Sequence, residues 1–413
     1  MDLKNKKITI IGAARSGLAA ADLVSRLGGI AKISESKVGV EHARPVHGII
    51  IETGGHTKAF IEDSDYVVLS PGVRMDSQPA QWARAKGLEV MGEVELAFRF
   101  CPCPIIAVTG SNGKTTTSTL IAEILKKAGR RVCLCGNIGN PFTTQVLNLK
   151  STDTVVLEIS SFQLESTIEF KPQVAVWLNF SQNHLDRHKD LTEYFEAKKK
   201  IFTNQGKNDF AVLNFAQAEF HDLAKSLKAK VLFFNGPDSP KDINNPNYLA
   251  AMTAAHALGI SENISRQVFV EFKGVEHRLE WVRTLDGVDY INDSKSTTAE
   301  AGRWALECTR KPLIMICGGS DKHIDYKNLR PLVQKKVKYM IAIGQIRKQI
   351  QEAFAGAVSM GSADSLEEAV NTARHKAASG DCVLLSPMTA SFDMFDNYEH
   401  RGKRFKEIVS QLT

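Results

Sequence analysis

Residues 105–117, I-I-A-V-T-G-S-N-G-K-T-T-T, restrict this chain more than any other stretch. Five apolar or small residues run into a glycine-rich turn. A lysine and three hydroxyl residues follow, and residues 120–125 (L-I-A-E-I-L) open a helix. A strand that turns through glycine into a helix N-terminus belongs to an α/β layout. The backbone N–H groups of such a loop point inward and cradle phosphate, and the helix dipole adds positive potential. Gly110, Ser111, Asn112 and Gly113 form the loop. Lys114 is placed to reach the β- and γ-phosphates, and Thr115 to hold Mg²⁺. The spacing is a short G-x-x-G-K-T, because Val108 stands where the longer loop has its first glycine. The expected ligand is a nucleoside triphosphate, hydrolysed or used as a donor.

At 413 residues the chain has room for two to three domains. No apolar run approaches the roughly 18 residues of a membrane span. The first seven residues lead straight into the strand 8–11 without a signal peptide, so a cytoplasmic setting is expected. The net charge of +6 comes without a basic block interleaved with aromatics. Nucleic acid is therefore not expected as a partner, and anionic small substrates suit the balance. The seven cysteines include two C-x-C pairs, Cys101/Cys103 and Cys133/Cys135. Zinc sites favour C-x-x-C, so these read as buried, reduced thiols.

Residues 1–93 alternate short apolar strands (8–11, 47–51, 66–69) with a helical stretch at 18–27, the pattern of a parallel sheet. The first turn, Gly12 to Gly17 (G-A-A-R-S-G), half-matches the dinucleotide fingerprint. Ala14 takes the place of the middle glycine, and Glu35 falls where a ribose-binding acid sits. A second β/α series begins near 105, with strands 154–157, 174–178 and 211–213. A third begins near 275, with strands 313–317, 339–343 and 381–385. The stretch 235–246 reads as a loop.

Chemistry-bearing residues cluster after these strands. Glu158 ends the strand 154–157 and is placed to hold Mg²⁺. His184 lies in a polar run after 174–178. In the third series, residues 292–298 (N-D-S-K-S-T-T), 318–322 (G-G-S-D-K) and 385–393 (L-S-P-M-T-A-S-F-D) give three polar turns at the strand ends of one sheet. Such turns line one crevice, although each is also rich in helix-capping residues.

In order and spacing these motifs resemble the Mur ligase family over nearly the whole chain. To the phosphate loop are added G-N-I-G (136–139), L-E-I-S-S-F-Q-L (157–164), H-L-D-R-H (184–188), E-A-K-K-K-I-F (196–202) and H-R-L-E (277–280). The resemblance implies three α/β domains: a Rossmann-like UDP-binding domain (1–93), a central ATPase of phosphate-loop type (94–274) and a Rossmann-like amino-acid-binding domain (275–413). It implies ATP-dependent joining of D-glutamate to UDP-N-acetylmuramoyl-L-alanine through an acyl phosphate, by a monomer using two Mg²⁺ ions. Closure of the domains would exclude water.

On matched positions, Lys114, Thr115, Thr116, Asn244, Asn247, Arg278 and Asp293 would contact ATP. Glu158, His184 and Lys198, the last as a carbamate, would serve the metals. Arg15, Ser16, Ser36, Lys37, Ser70, Pro71 and Gly72 would hold the uridine diphosphate. Asn137, Ser160 and Ser161 would meet the sugar-lactyl end. Lys295, Thr297, Lys322, Ser391 and Tyr398 would hold D-glutamate. Two departures are Thr298 in place of the family's asparagine and Tyr398 in place of phenylalanine. Alternatives are another amino-acid ligase of the superfamily, a nicotinamide-dependent oxidoreductase using the turn 12–17, and a non-catalytic nucleotide-binding regulator.

Overall fold

The computed structural model describes residues 1–37, 49–181, 187–321 and 324–413. It divides into two compact units, Met1–Phe272 and Lys273–Thr413.

The first unit contains two sheets. One consists of β1 (Lys7–Ile11), β2 (Ile30–Glu35), β3 (Ile50–Thr53), β4 (Tyr66–Leu69) and β5 (Glu89–Gly92). Its order is β3-β2-β1-β4-β5, all parallel. Strand order reverses beside β1, and ligand crevices form at such a reversal, beyond the carboxyl ends of the strands. The other sheet consists of β6 (Ile105–Thr109), β7 (Val132–Gly136), β8 (Thr154–Glu158), β9 (Val174–Trp177), β10 (Phe210–Asn214) and β11 (Lys230–Phe234). It is parallel in the order β11-β10-β9-β6-β8-β7. Strands β6, β8 and β9 are buried along their whole length, because helices cover both faces of a parallel sheet.

The two sheets share a core that includes Ile8, Ile33, Leu157 and Trp177. Between them runs the helix Glu93–Phe98, which is no loose linker. The Glu95 carboxylate accepts the backbone N–H groups of Ile168, Glu169 and Phe170 at 2.8–3.0 Å, together with Arg99 Nε. Glu93 accepts both the N–H and the hydroxyl of Thr143.

The second unit holds β12 (Glu280–Leu285), β13 (Val288–Asn292), β14 (Leu313–Gly318), β15 (Val337–Ile343), β16 (Ser359–Ser362) and β17 (Cys382–Leu385). The order is β12-β13-β17-β14-β15-β16. All pairs are parallel except β12 with β13. That pair is a hairpin closed by Asp286 (φ 50°) and Gly287 (φ 76°), the two left-handed residues of a tight turn matching strand twist.

The strands expected at 66–69, 154–157, 174–178, 211–213, 313–317, 339–343 and 381–385 are present within two residues at each end. The strand expected at 47–51 begins at Ile50, its first two residues lying outside the described ones. Strands β2, β5, β7, β11, β12 and β16 were not expected. All seven cysteines are free thiols, but Cys308 is exposed rather than buried, and Cys101 and Cys133 are half-buried. No helix among the described residues is long and apolar enough to cross a membrane.

Candidate active site

β6 delivers the chain to Gly110 (φ 155°) and Gly113 (φ 82°), conformations open to glycine at little cost. A Cβ on Gly113 would stand 2.3 Å from Asn247 Oδ1, so Asn247 packs directly on the loop. Asn245 caps the helix Pro246–His256 and so orients Asn247. Asn244 is exposed just before that cap. Lys114 opens the helix Lys114–Lys127 and folds back, donating to the carbonyls of Gly110 (2.8 Å) and Ser111 (3.2 Å). Thr115 is buried at the helix start and Thr116 is half-buried.

The loop is clamped from β9. Asn179 Oδ1 accepts the Asn112 N–H (2.9 Å), and its Nδ2 donates to the Asn112 carbonyl (3.2 Å). The Ser111 hydroxyl bonds to the carbonyl and N–H of Ser181 and to Tyr194 Oη. Neither Asn179 nor Tyr194 was singled out from sequence. An asparagine directly after an apolar strand beside the loop strand was the available signal.

Lys198, on the helix Leu191–Lys199, is fully buried. Its amine donates to Gly110 O (3.1 Å) and Thr109 Oγ1 (3.3 Å). Burial, and then the charge of Lys114, hold this amine well below the ordinary lysine range, favouring its neutral form. Glu158 ends β8, which pairs with β6 through Val108. Its Oε1 accepts Asn137 Nδ2 at 2.7 Å, while Oε2 is buried with no hydrogen-bond partner. A buried carboxylate oxygen of this kind is a fitting cation ligand, and Thr115 adds a hydroxyl. Among the described residues no group of three or more His, Cys, Asp or Glu is placed to hold a metal. Mg²⁺ commonly takes only one or two carboxylates beside phosphate and water. His184 lies outside the described residues.

The helix Ser161–Glu165 starts with a reciprocal capping box between Ser160 and Gln163. Ser160 is thus partly engaged by its own helix. The Ser161 hydroxyl meets His188 Nε2 at 3.0 Å.

At the reversal point of the first sheet, Arg15, Ser16, Ser36, Lys37, Ser70, Pro71 and Gly72 all line one cavity of about 500 Å³. The structure therefore brings together every residue expected to hold the uridine diphosphate. Gly17 lets the first turn close, since a Cβ there would lie 1.9 Å from Gly12 O. Glu35 is occupied by the protein itself, accepting from the N–H groups of Ala13 and Lys37 and from the Ser36 hydroxyl. Burial pushes its carboxyl up, but these hydrogen bonds outweigh that and hold it below the usual range. An acid so engaged braces the turn and is a poor receiver for a cofactor ribose, which takes the ribose-binding acid away from the oxidoreductase reading of the turn 12–17.

In the second unit, β13, β17 and β14 are neighbours, so their three polar turns adjoin. Asp293 is buried after β13, accepting the Leu279 N–H (3.1 Å) and the Ser386 hydroxyl (3.0 Å). Burial pushes its carboxyl up to about 7, against the opposing charge of Arg278. The Nε of Arg278 is buried without a hydrogen-bond partner. The Lys295 ammonium lies 5.5 Å from the centre of the Tyr398 ring. Ser391 is buried, Thr297 is half-buried, and Lys322 lies outside the described residues. Arg401, missed from sequence, is buried beneath these turns and donates to Ser294 and to the carbonyls of Thr389 and Ala390. Thr298 caps the helix Ala299–Cys308 by accepting the Ala301 N–H. Asparagine is at least as good a cap, so at the helix start this departure exchanges one capping residue for another.

Comparison with known proteins identifies relatives along the whole chain. Residues 108–273 match the Mur ligase middle domain, and residues 277–388 match the Mur ligase glutamate ligase domain. A UDP-N-acetylmuramoylalanine–D-glutamate ligase of Koribacter versatilis is 38% identical over 100% of this chain and 99% of its own. The ligase of that name from Pelotomaculum thermopropionicum is 39% identical over 100% and 99%. Among solved structures, MurF ligase of Thermotoga maritima in complex with ADP aligns with a TM-score of 0.61 at 17% identity, covering 99% of this chain and 96% of that one. The UDP-N-acetylmuramate-alanine ligase MurC of the same organism gives 0.60 at 19% identity, covering 98% and 99%. These two likenesses speak to the fold alone. With curated relatives this similar along its entire length, the chain belongs to the Mur ligase family.

Proposed function

We propose that this chain joins D-glutamate to UDP-N-acetylmuramoyl-L-alanine at the expense of ATP, as a cytoplasmic monomer with domains at 1–93, 94–274 and 275–413. The observation that carries this reading is the full-length identity of 38–39% to relatives named for that reaction. A carboxylate is a poor electrophile, so its oxygen first takes the γ-phosphoryl group of ATP. The amine of D-glutamate then attacks the acyl phosphate, and phosphate leaves. Lys114 and the loop N–H groups would steady the charge on the moving phosphoryl group.

Glu158 and Thr115 would hold Mg²⁺, joined on the family resemblance by His184 and Lys198. Bound there, the metal supplies charge neutralisation between nucleotide and carboxylate. The buried amine of Lys198 is suited to take up CO₂, forming an N–C bond and releasing a proton to leave a carbamate. A carbamate signal from ¹³C-bicarbonate that disappears in Lys198→Met tests this. Asn137, Ser160 and Ser161 would receive the sugar-lactyl end. Lys295, Thr297, Lys322, Ser391 and Tyr398 would receive D-glutamate, and Asn244, Asn247, Arg278 and Asp293 would contact the nucleotide.

The test is phosphate release from ATP with UDP-N-acetylmuramoyl-L-alanine, comparing D-glutamate, L-glutamate, L-alanine and no amino acid. Release that depends on D-glutamate alone is expected. Release with another amino acid moves the acceptor, and none at all rejects the ligase.

A further inference from the structure

The segment that follows β9 carries a residue outside the sites assigned so far. Arg187 reaches from the second sheet's side of the first unit to the substrate turn of the first sheet. Its guanidinium donates to Gly72 O at 2.9 Å and to Val73 O at 3.1 Å. It also pairs with Glu165 Oε2 at 3.4 Å and lies over the Phe162 ring at 5.0 Å. Arg74 returns the contact, donating to Arg187 O at 2.6 Å and gripping Asp76.

Each partner of Arg187 leads to one end of the proposed substrate site. Ser70, Pro71 and Gly72 line the cavity at the reversal point, and Val73 N–H closes that turn onto Ser70 O at 2.8 Å. The Ser70 hydroxyl continues to Gly12 O. On the other side, Glu165 ends the short helix whose first residue is Ser161, and its Oε1 lies 3.4 Å from His188 Nδ1. His188 in turn holds the Ser161 hydroxyl. A set of contacts thus runs from the diphosphate turn through Arg187 to Ser161, in which the step from Glu165 to His188 is a close approach without a hydrogen bond and the Phe162 ring, 5.5 Å from the His188 ring, packs alongside it. The guanidinium is largely buried, so its pairing with two carbonyls and a carboxylate has directional strength that an exposed ion pair lacks.

We propose that Arg187 is a positioning residue that fixes the spacing between the turn holding the nucleotide end of the substrate and the β8 edge receiving its carboxylate end. This inference rests on the proposed function, because a two-ended UDP-linked carboxylate is what needs a fixed span. A rigid span lets the second contact form at high effective concentration once the first is made. A floating turn still grips UDP but loses that advantage.

The experiment compares the Kd of free UDP with that of UDP-N-acetylmuramoyl-L-alanine by calorimetry, in wild type, Arg187→Ala and Arg187→Lys. ATP affinity is measured on each preparation as a check that the phosphate loop is intact. In Arg187→Ala the ratio of the two affinities is expected to fall about tenfold or more, with UDP itself held within about twofold. Arg187→Lys, which keeps the charge but loses the fork, should fall between. A ratio unchanged from wild type overturns the inference, as does an equal weakening of UDP and the complete substrate. If wild type itself binds the complete substrate no better than UDP, the proposed function is at fault and the inference falls with it.

Discussion

Asp293→Asn separates the energetic cost of a buried carboxylate from its use. The folded protein keeps a proton on Asp293 up to about pH 7, against an ordinary value of 3.8. Between those values the folded state binds more protons than the unfolded chain, so stability falls as pH rises. At about 1.36 kcal/mol per pKa unit, the full penalty is on the order of 4 kcal/mol by pH 8 and vanishes near pH 4. Asparagine preserves both contacts. Its oxygen can accept the Leu279 N–H, and its amide can donate to the Ser386 oxygen. The variant should match wild type near pH 4 and exceed it by a margin that widens to about 4 kcal/mol at pH 8. Urea unfolding followed by tryptophan fluorescence, with wild type and variant side by side from pH 4 to 8, measures this; Trp281 and Trp304 report on the second unit. A gap that does not change with pH would refute the reasoning, because only titration of this group makes the two curves diverge. Ligase activity should fall in the same variant at every pH.

Gly113→Ala forces a left-handed alanine against Asn247, so it should cost about 1–2 kcal/mol of stability and raise the KM for ATP about tenfold or more in steady-state assays. Glu158→Gln keeps the shape of the site but removes the charge offered to a cation. Turnover should drop by about two to three orders of magnitude in phosphate-release assays while UDP affinity is unchanged. Glu95→Ala leaves three backbone N–H groups and the Nε of Arg99 without their acceptor, although Arg99 keeps Glu89, and should cost on the order of 3–5 kcal/mol by urea denaturation. Thr298→Asn should change stability by less than about 0.5 kcal/mol, whereas Thr298→Ala should cost about 1 kcal/mol by the same method.

The parts of this molecule legible in sequence are those where local chemistry and burial agree. β6, β8, β9 and β14 are continuous apolar runs that end in polar turns, and their position in a covered parallel sheet follows from that pattern. Strands that lie partly at the surface were missed. β7 reads V-C-L-C-G with only Cys135 fully buried, and β16 reads S-M-G-S with none. Only pairing to a neighbour makes them strands. The β12–β13 hairpin carries a local signal, Asp286-Gly287 between two short segments that mix apolar and polar residues, and that signal is weak because neither flanking segment is continuously apolar.

Within the site, residues that a phosphate loop requires by chemistry stood out from sequence. Those that hold the loop in shape did not. Asn179 and Tyr194 grip the loop, and Arg401 grips the polar turns of the second unit, through partners far apart in the chain; the place of Asn179 directly after an apolar strand was the one local sign among them.

The helix Glu93–Phe98 bears on how such a chain can be inherited. Its two acids are satisfied by Thr143 and by residues 168–170, in a helix and a connection that belong to the following β/α series. Recombination that joined the first sheet of one relative to the second sheet of another would leave buried carboxylates facing the wrong backbone. A chimera cut between the two sheets is therefore expected to fold less well than one cut near residue 273, where one compact unit ends and the next begins.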